Sequence, residues 1–202
     1  INPWYGDQKM ICFSLPYLIS GLRKRLRHVD FKLFDCAALQ HDMETLETGL
    51  KAFQPDIVGI SIPFTPMLAT AVEIIDRVRE CFPVAWIIAG GTHATLCPED
   101  LTDICDYVVI GEGENPMIRI IQSFPNKKCN EDIPGTVVKK NGQIQINPPH
   151  KNQLQKMGSP DWSGMDLSPF LFPAFYGSRE KGFSIFTSKG CPFNCNYCSN
   201  HL

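Results

Sequence analysis

From Ile11 to Phe124 short apolar runs alternate with amphipathic stretches. Leu15, Leu18, Leu22 and Leu26 recur at helical spacing, with Ser14 placed to cap the helix and Pro16 tolerable in its first turn. Phe31–Asp35 reads as a strand, and Met43, Leu46, Leu50 and Phe53 form a second helical stripe ending near Pro55. Ile57–Ile62 is β-rich and almost continuously apolar, as expected of a parallel strand covered on both faces. Leu68, Val72, Ile75, Val78 and Phe82 define a long helix over 67–82, stopped by Pro83. Ala85–Ala89 and Tyr107–Ile110 are the next strands, and 114–124 closes the series as a helix with Met117, Ile120, Ile121 and Phe124 inward. Strand–helix alternation of this kind predicts an α/β fold with a doubly wound parallel sheet, whose first strand runs into Asn2-Pro3.

After Phe124 the pattern changes. Residues 136–146 read as strand, Asn141-Gly142 turn and strand, a strong hairpin signal. Residues 147–182 are rich in Pro and Gly with scattered aromatics, a linker ordered by packing against its neighbours. Phe183–Ser188 is a fresh strand feeding a cysteine-rich loop. The predicted organisation is an α/β domain over 1–124, a hairpin and linker over 125–182, and the start of a further domain over 183–202.

Composition narrows the classes. An apolar content of 44% and a charged content of 20% exclude wholesale disorder. A net charge of −2 gives no basic field for nucleic acid or an anionic membrane surface. No apolar run is long enough to span a bilayer, and no charged-then-apolar leader opens the chain, so a soluble, cytoplasmic protein is expected. The sequence begins at Ile1 without an initiator Met and stops at Leu202 just after the cysteine cluster, and so reads as a piece of a longer protein.

Of nine cysteines, Cys12, Cys36, Cys81, Cys97, Cys105 and Cys129 are scattered among apolar or loop residues and read as structural thiols. Cys191, Cys195 and Cys198 form a C-x3-C-x2-C motif. Three thiolates this close suit three corners of an iron–sulfur cubane and leave the fourth iron open to a cofactor or substrate. Two plainer readings stand beside it: a Cys3His zinc site completed by His201, and uncommitted thiols. The run Thr187-Ser188-Lys189-Gly190-Cys191-Pro192-Phe193-Asn194-Cys195-Asn196-Tyr197-Cys198-Ser199 resembles the signature of the radical S-adenosylmethionine (SAM) superfamily. That resemblance implies a [4Fe–4S] cluster on Cys191, Cys195 and Cys198, SAM on the open iron, and Tyr197 beside the adenine. It covers only the last residues of the chain, so the barrel that completes such a site is absent, and the chain alone is expected to be inactive.

Ligands of open α/β sheets sit at the carboxyl ends of the strands. Those ends here carry Ser61 and Thr65, then Gly90, Gly91, His93 and Thr95, then Gly111, Glu112 and Gly113. Each segment alone is weak, because tight turns favour Gly and the acidic pair would suit a helix N-terminus regardless. Together, Asp56–Ser61, Gly90–Thr95, Pro98-Glu99 and Asp106–Glu114 resemble the cobalamin-binding domain found N-terminal to many radical SAM enzymes, a flavodoxin-like, Rossmann-type sheet. The resemblance implies cobalamin on the carboxyl edge, contacted by Ser61, Thr65, Gly90, Gly91, His93, Thr95, Gly111, Glu112 and Gly113. The Asp-x-His-x-x-Gly motif that supplies a lower cobalt ligand in other corrinoid domains is missing, so no side chain is expected to ligate cobalt from below.

What the family implies is methyl transfer to an unactivated carbon of a small-molecule substrate. A radical derived from SAM takes the hydrogen, methylcobalamin gives the methyl group, and a flavodoxin or ferredoxin supplies electrons. The alternatives are a radical SAM cyclase or rearrangement enzyme with the same modules, or a non-catalytic α/β module whose corrinoid site has decayed.

Overall fold

The computed structural model describes residues 1–6, 12–126, 130–149, 159–163, 167–173 and 181–183, together with Ile185, Cys191, Phe193, Cys195, Asn196 and Cys198. The main sheet has five strands in the order β1 (Ile57–Ser61), β2 (Trp86–Gly90), β3 (Tyr107–Val109), β4 (Thr136–Lys140) and β5 (Gln143–Asn147). β1, β2 and β3 are parallel; β4 and β5 are antiparallel additions.

The start of the chain extends this order. Ser61 N–H donates to Ile1 O at 2.9 Å, and the Ile1 amine donates to Gly59 O at 2.5 Å, which is parallel pairing beside β1. On its other side Asn2 N–H donates to Phe34 O at 2.9 Å and Cys36 N–H donates to Asn2 O at 3.0 Å. The parallel part therefore runs Phe34–Cys36, Ile1–Asn2, β1, β2, β3. This is the 2-1-3-4-5 order of flavodoxin-like folds, with its reversal point between Asn2 and β1. The predicted strand at 31–35 is reduced to one bridge, Asn2 with Asp35, because it lies at an edge with a partner on one side only.

Helices cover both faces. α1 (Ser14–Arg25) and α6 (Glu114–Ser123) pack on one side, through Leu22, Leu26 and Ile118 with Leu18, Met117 and Ile121 around them. α3 (Met43–Phe53) and α4 (Leu68–Cys81) cover the other, through Leu46, Leu50, Ile74, Ile75 and Val78. β2 shows why its sequence is continuously apolar. Trp86 and Ile88 join Tyr107, Val109 and Ile120 in one core, while Ile87 and Ala89 join Ile60, Ile74 and Val108 in the other. Each fully buried Ile contributes about 1.5–3 kcal/mol.

Several local outcomes differ from the sequence-based expectation. Ser14 is the first residue of α1 rather than its cap; Phe13 precedes it and gives no side-chain cap bond. The long helix begins at Leu68 behind a 3-10 turn over Thr65–Met67. Two short helices were not predicted: α2 (Cys36–Leu39), capped by the Asp35 carboxylate accepting from Ala38 N–H, and α5 (Thr92–Leu96) after β2. The hairpin forms as predicted, with Asn141 at φ 49° and Gly142 at φ 79°, the two left-handed residues of a tight turn. It also pairs with β3, so the main sheet does not stop at residue 124.

Part of the linker packs as expected. Asp161 N–H donates to Pro16 O at 2.9 Å, and the Asp161 carboxylate pairs with Arg23. Trp162 meets Phe13 edge-on at 6.3 Å and Phe183 at 5.3 Å between ring centroids. A short ladder joins β6 (Phe172–Pro173) to β7 (Lys181–Gly182). Most of the predicted strand over 183–188 lies outside the described residues, as do Cys129, Tyr197 and His201. No described helix is long and apolar enough to cross a membrane.

Candidate functional site

All the candidate loops leave the carboxyl ends of parallel strands, so the fold gathers them on one edge. The second loop is locked to the first by backbone. Ile62 N–H donates to Gly90 O at 2.7 Å and His93 N–H donates to Ile62 O at 3.0 Å. Between them Gly91 has φ +105° and ψ −174°, a region open only to glycine. A Cβ there would lie 2.6 Å from Ile62 O. Gly91 is therefore required by this close crossing of two loops, whatever else it touches.

Thr95 ties the second loop to the third. Its hydroxyl donates to Gly91 O at 2.9 Å and accepts from Gly111 N–H at 3.0 Å. Gly111, at φ +70°, is exposed, and Gly113 precedes α6 as its N-cap residue. Glu112 is half-buried. Thr65 is exposed at the start of the 3-10 turn, and the neighbouring Phe64 is 52% exposed.

At the reversal point Ser61 is buried and its Oγ lies 4.0 Å from Cys12 Sγ, which in turn lies 3.3 Å from Ser14 Oγ. Asn2 Nδ2 donates to Asp35 Oδ1 at 2.7 Å, while Asn2 Oδ1 and Asp35 Oδ2 are buried without hydrogen-bond partners. Burial raises the Asp35 pKa above the usual carboxylate range, against the opposing bonds from Asn2 and Ala38. Sequence reasoning missed Asn2, Cys12 and Asp35. Asn2 and Asp35 carry only the signal of position at the ends of the first two strands, and Cys12 that of a place just before α1.

His93 differs from the other predicted contacts. It is 2% exposed, with Nδ1 3.2 Å from Thr65 Oγ1. Nε2 lies 3.4 Å from Asp100 Oδ2 but is not aligned for a hydrogen bond, and so counts as unpartnered despite the short separation. The His93 ring is therefore buried, with one nitrogen beside Thr65 and the other beside Asp100.

The edge fits cobalamin. Exposed Thr65 and Thr92, open backbone at Gly111 and the exposed ring of Phe64 suit a large ligand with apolar faces and an amide rim. In the cysteine loop Cys191 is exposed and Cys195 and Cys198 are half-buried, with Cys198 N–H donating to Cys195 O at 3.0 Å. That backbone turn joins the last two cysteines, but the three sulfurs are not all within 4.8 Å of one another; what fits an iron–sulfur cluster is the donor type, three thiolates on one short loop.

An open, doubly wound α/β domain with glycine-rich strand ends is a cofactor-binding class. Within it, the sequence profile of the B12 binding domain matches residues 13–121, and the chain belongs to that family. An uncharacterized methyltransferase of Pyrococcus horikoshii, PH0819, is 31% identical over 94% of this chain and 40% of its own length. The hopanoid C-3 methylase of Methylococcus capsulatus is 25% identical over 90% of this chain and 34% of its own length. The anaerobic magnesium-protoporphyrin IX monomethyl ester cyclase of Cereibacter sphaeroides is 24% identical over 90% and 30%. The chain thus spans well under half the length of these relatives. Among solved structures, the cobalamin-dependent SAM radical enzyme OxsB, with aqua-cobalamin and SAM bound, superposes with a TM-score of 0.68 at 20% identity, over 77% of this chain and 22% of that one. The radical SAM methyltransferase TsrM of Kitasatospora setae gives 0.64 at 20% identity, over 74% and 29%. These likenesses establish the fold.

Proposed function

We propose that this chain is the cobalamin-binding part of a radical SAM enzyme, joined to the start of its cluster-binding domain. On this reading the whole protein methylates an unactivated carbon of a small-molecule substrate, drawing electrons from a flavodoxin or ferredoxin. The observation that carries the reading is the B12-domain match over 13–121, which falls on a sheet whose strand ends form one linked, partly open edge. When bound, cobalamin would supply methyl-group transfer and the [4Fe–4S] cluster with SAM would supply radical initiation.

The chain's own residues do the positioning. Ser61, Thr65, Thr95 and the backbone of Gly90, Gly91, Gly111, Glu112 and Gly113 line the edge; Cys191, Cys195 and Cys198 would hold the cluster, with Tyr197 beside SAM. Phe183, upstream of Cys191, lies 6.1 Å from Phe13, which precedes α1 on the carboxyl side of the first strand. That contact favours an arrangement in which the cluster loop approaches the cofactor edge rather than the opposite end of the sheet.

The test is retention of cobalamin by the chain after gel filtration, followed by EPR of bound cob(II)alamin. Stoichiometric retention is expected, with no nitrogen triplet splitting from the protein when a nucleotide-free corrinoid is used. Splitting that disappears in His93→Ala would refute the reading of the lower face; loss of cobalamin on the column would favour the decayed-module alternative. A second reading, ring closure with the same modules, has the cyclase relative behind it. Product analysis of the whole protein separates the two, since only the first adds a SAM-derived methyl carbon.

A further inference from the structure

His93, Cys97 and Asp100 bring their ligand atoms within 4.8 Å of one another, the one such group of three among the described residues. They come from adjacent turns of chain: His93 from α5, Cys97 from its end, Asp100 from the 3-10 turn Pro98–Asp100. Backbone bonds fix the spacing, with Cys97 N–H donating to His93 O at 2.8 Å and Asp100 N–H to Cys97 O at 3.3 Å.

The imidazole carries the argument. Its Nδ1 is within hydrogen-bond reach of Thr65 Oγ1, and the tautomer that donates there leaves a bare lone pair on Nε2. The Nε2 atom is buried, has no hydrogen-bond partner, and faces a carboxylate oxygen at 3.4 Å, so that in this tautomer its lone pair meets those of the oxygen. Two lone pairs meeting at this distance repel unless a cation lies between them. Nitrogen and oxygen ligands at ~2.0–2.2 Å from a tetrahedral zinc ion are themselves separated by roughly 3.4 Å. A metal-bound histidine also characteristically donates its other ring N–H to a neighbouring oxygen, the part Thr65 would play.

We propose that His93 Nε2, Cys97 Sγ and an Asp100 carboxylate oxygen form a site for a divalent transition metal of the zinc type. Water completes the tetrahedron, reaching it past the half-buried thiol and the exposed carboxylate. Cys97 gives up its proton to solvent on binding, and the bound ion pins α5 and the turn after it to the loop that holds Thr65. Nitrogen, sulfur and oxygen donors together suit zinc better than magnesium or calcium. This site is separate from the cysteine loop and adjoins the cobalamin edge through Thr65.

The experiment uses the full chain with Cys191, Cys195 and Cys198 replaced by alanine, which silences the cysteine loop. The protein is freed of metal and titrated anaerobically with Co2+, then with Zn2+. The expected result is one Co2+ per chain with a thiolate-to-cobalt charge-transfer band, displaced by Zn2+, and a rise in the urea midpoint on adding Zn2+. The band and the zinc-dependent rise should both be lost in Cys97→Ser and weakened in Asp100→Asn. Equal metal-free urea midpoints for the variants and their parent establish that the fold is intact; should Cys97→Ser unfold, Asp100→Asn decides alone. Absence of saturable Co2+ binding, saturable binding without the thiolate band, or a band unchanged by these substitutions would overturn the proposal. The first result would mean that a proton alone occupies the space between His93 and Asp100.

Discussion

Replacing Gly91 with alanine puts a single methyl group at the tightest point of the strand-end edge. The added Cβ would lie 2.6, 2.8 and 2.9 Å from Ile62 O, C and N. All three are backbone atoms, so no side-chain rotation relieves the contact. The Ile62 peptide cannot retreat freely either, because its N–H is bonded to Gly90 O and its carbonyl to His93 N–H. Holding a non-glycine residue at φ +105° adds about 1–3 kcal/mol of backbone strain, and overpacking a further ~1–3 kcal/mol. A combined loss of roughly 3–5 kcal/mol is a large part of the ~5–15 kcal/mol that holds a typical domain folded. Gly142→Ala is the control: its φ is +79°, but nothing lies within 4 Å of the added Cβ, so it reports strain without the clash. Urea unfolding followed by tryptophan fluorescence and far-UV circular dichroism should show the midpoint lowered by roughly 1–2 M for Gly91→Ala and by less than half as much for Gly142→Ala. Equal losses in the two variants would refute the close crossing of the loops.

Thr95→Val keeps the shape but removes a donor to Gly91 O and an acceptor for Gly111 N–H. It should cost about 1–3 kcal/mol in urea unfolding, and a loss under ~0.5 kcal/mol would mean that the bridge is not made. Burial pushes the Cys36 thiol up to about 11 and Cys105 up to about 12, whereas Cys191 is exposed. Native alkylation at pH 8 should therefore label Cys191 early, and buried Cys36 and half-buried Cys105 slowly, with mass-mapped rates rising towards pH 11; simultaneous labelling of all three would contradict the raised thiol pKa values. Asp35 has a raised pKa, so the stability gained by protonating it is complete below its unfolded pKa and is lost as pH rises through the folded value. Asp35→Asn, which still caps α2, should flatten that decline between acidic and neutral pH, and parallel stability curves for the two proteins would show that the carboxyl is not held neutral.

The elements legible in the sequence are those in which one periodicity dominates. β2 reads as a buried strand because both of its faces meet helices, and α4 reads as a helix because Ile75 and Val78 recur on one face. Asn141-Gly142 announces its hairpin by turn chemistry alone. The pairing of that hairpin with β3 was not legible, since an edge N–H of Val109 or Val108 carries no mark of its future partner. α5 was hidden because a five-residue helix is set by tertiary bonds rather than by pattern. The site follows the same division. Positions of Gly91, Thr95 and Gly111 at strand ends were readable, but their mutual bonding was not. His93 was placed at the edge by sequence; only the packing of Thr65 and Asp100 around its ring turns it inward.

The place of Ile1–Asn2 between two parallel neighbours has a kinetic consequence. Its bonds reach 33 residues along the chain to Asp35, across the single helical crossover through α1, and 58 to Gly59, across α1, α2 and α3. Long loops must close before these contacts repay their ordering entropy. The pairing of β1 with β2 crosses α4 alone and closes a shorter loop than the 58-residue contact of Ile1 with Gly59. Pairing of β1 with Ile1–Asn2 is therefore expected to follow pairing of β1 with β2, and it completes the reversal point of the sheet.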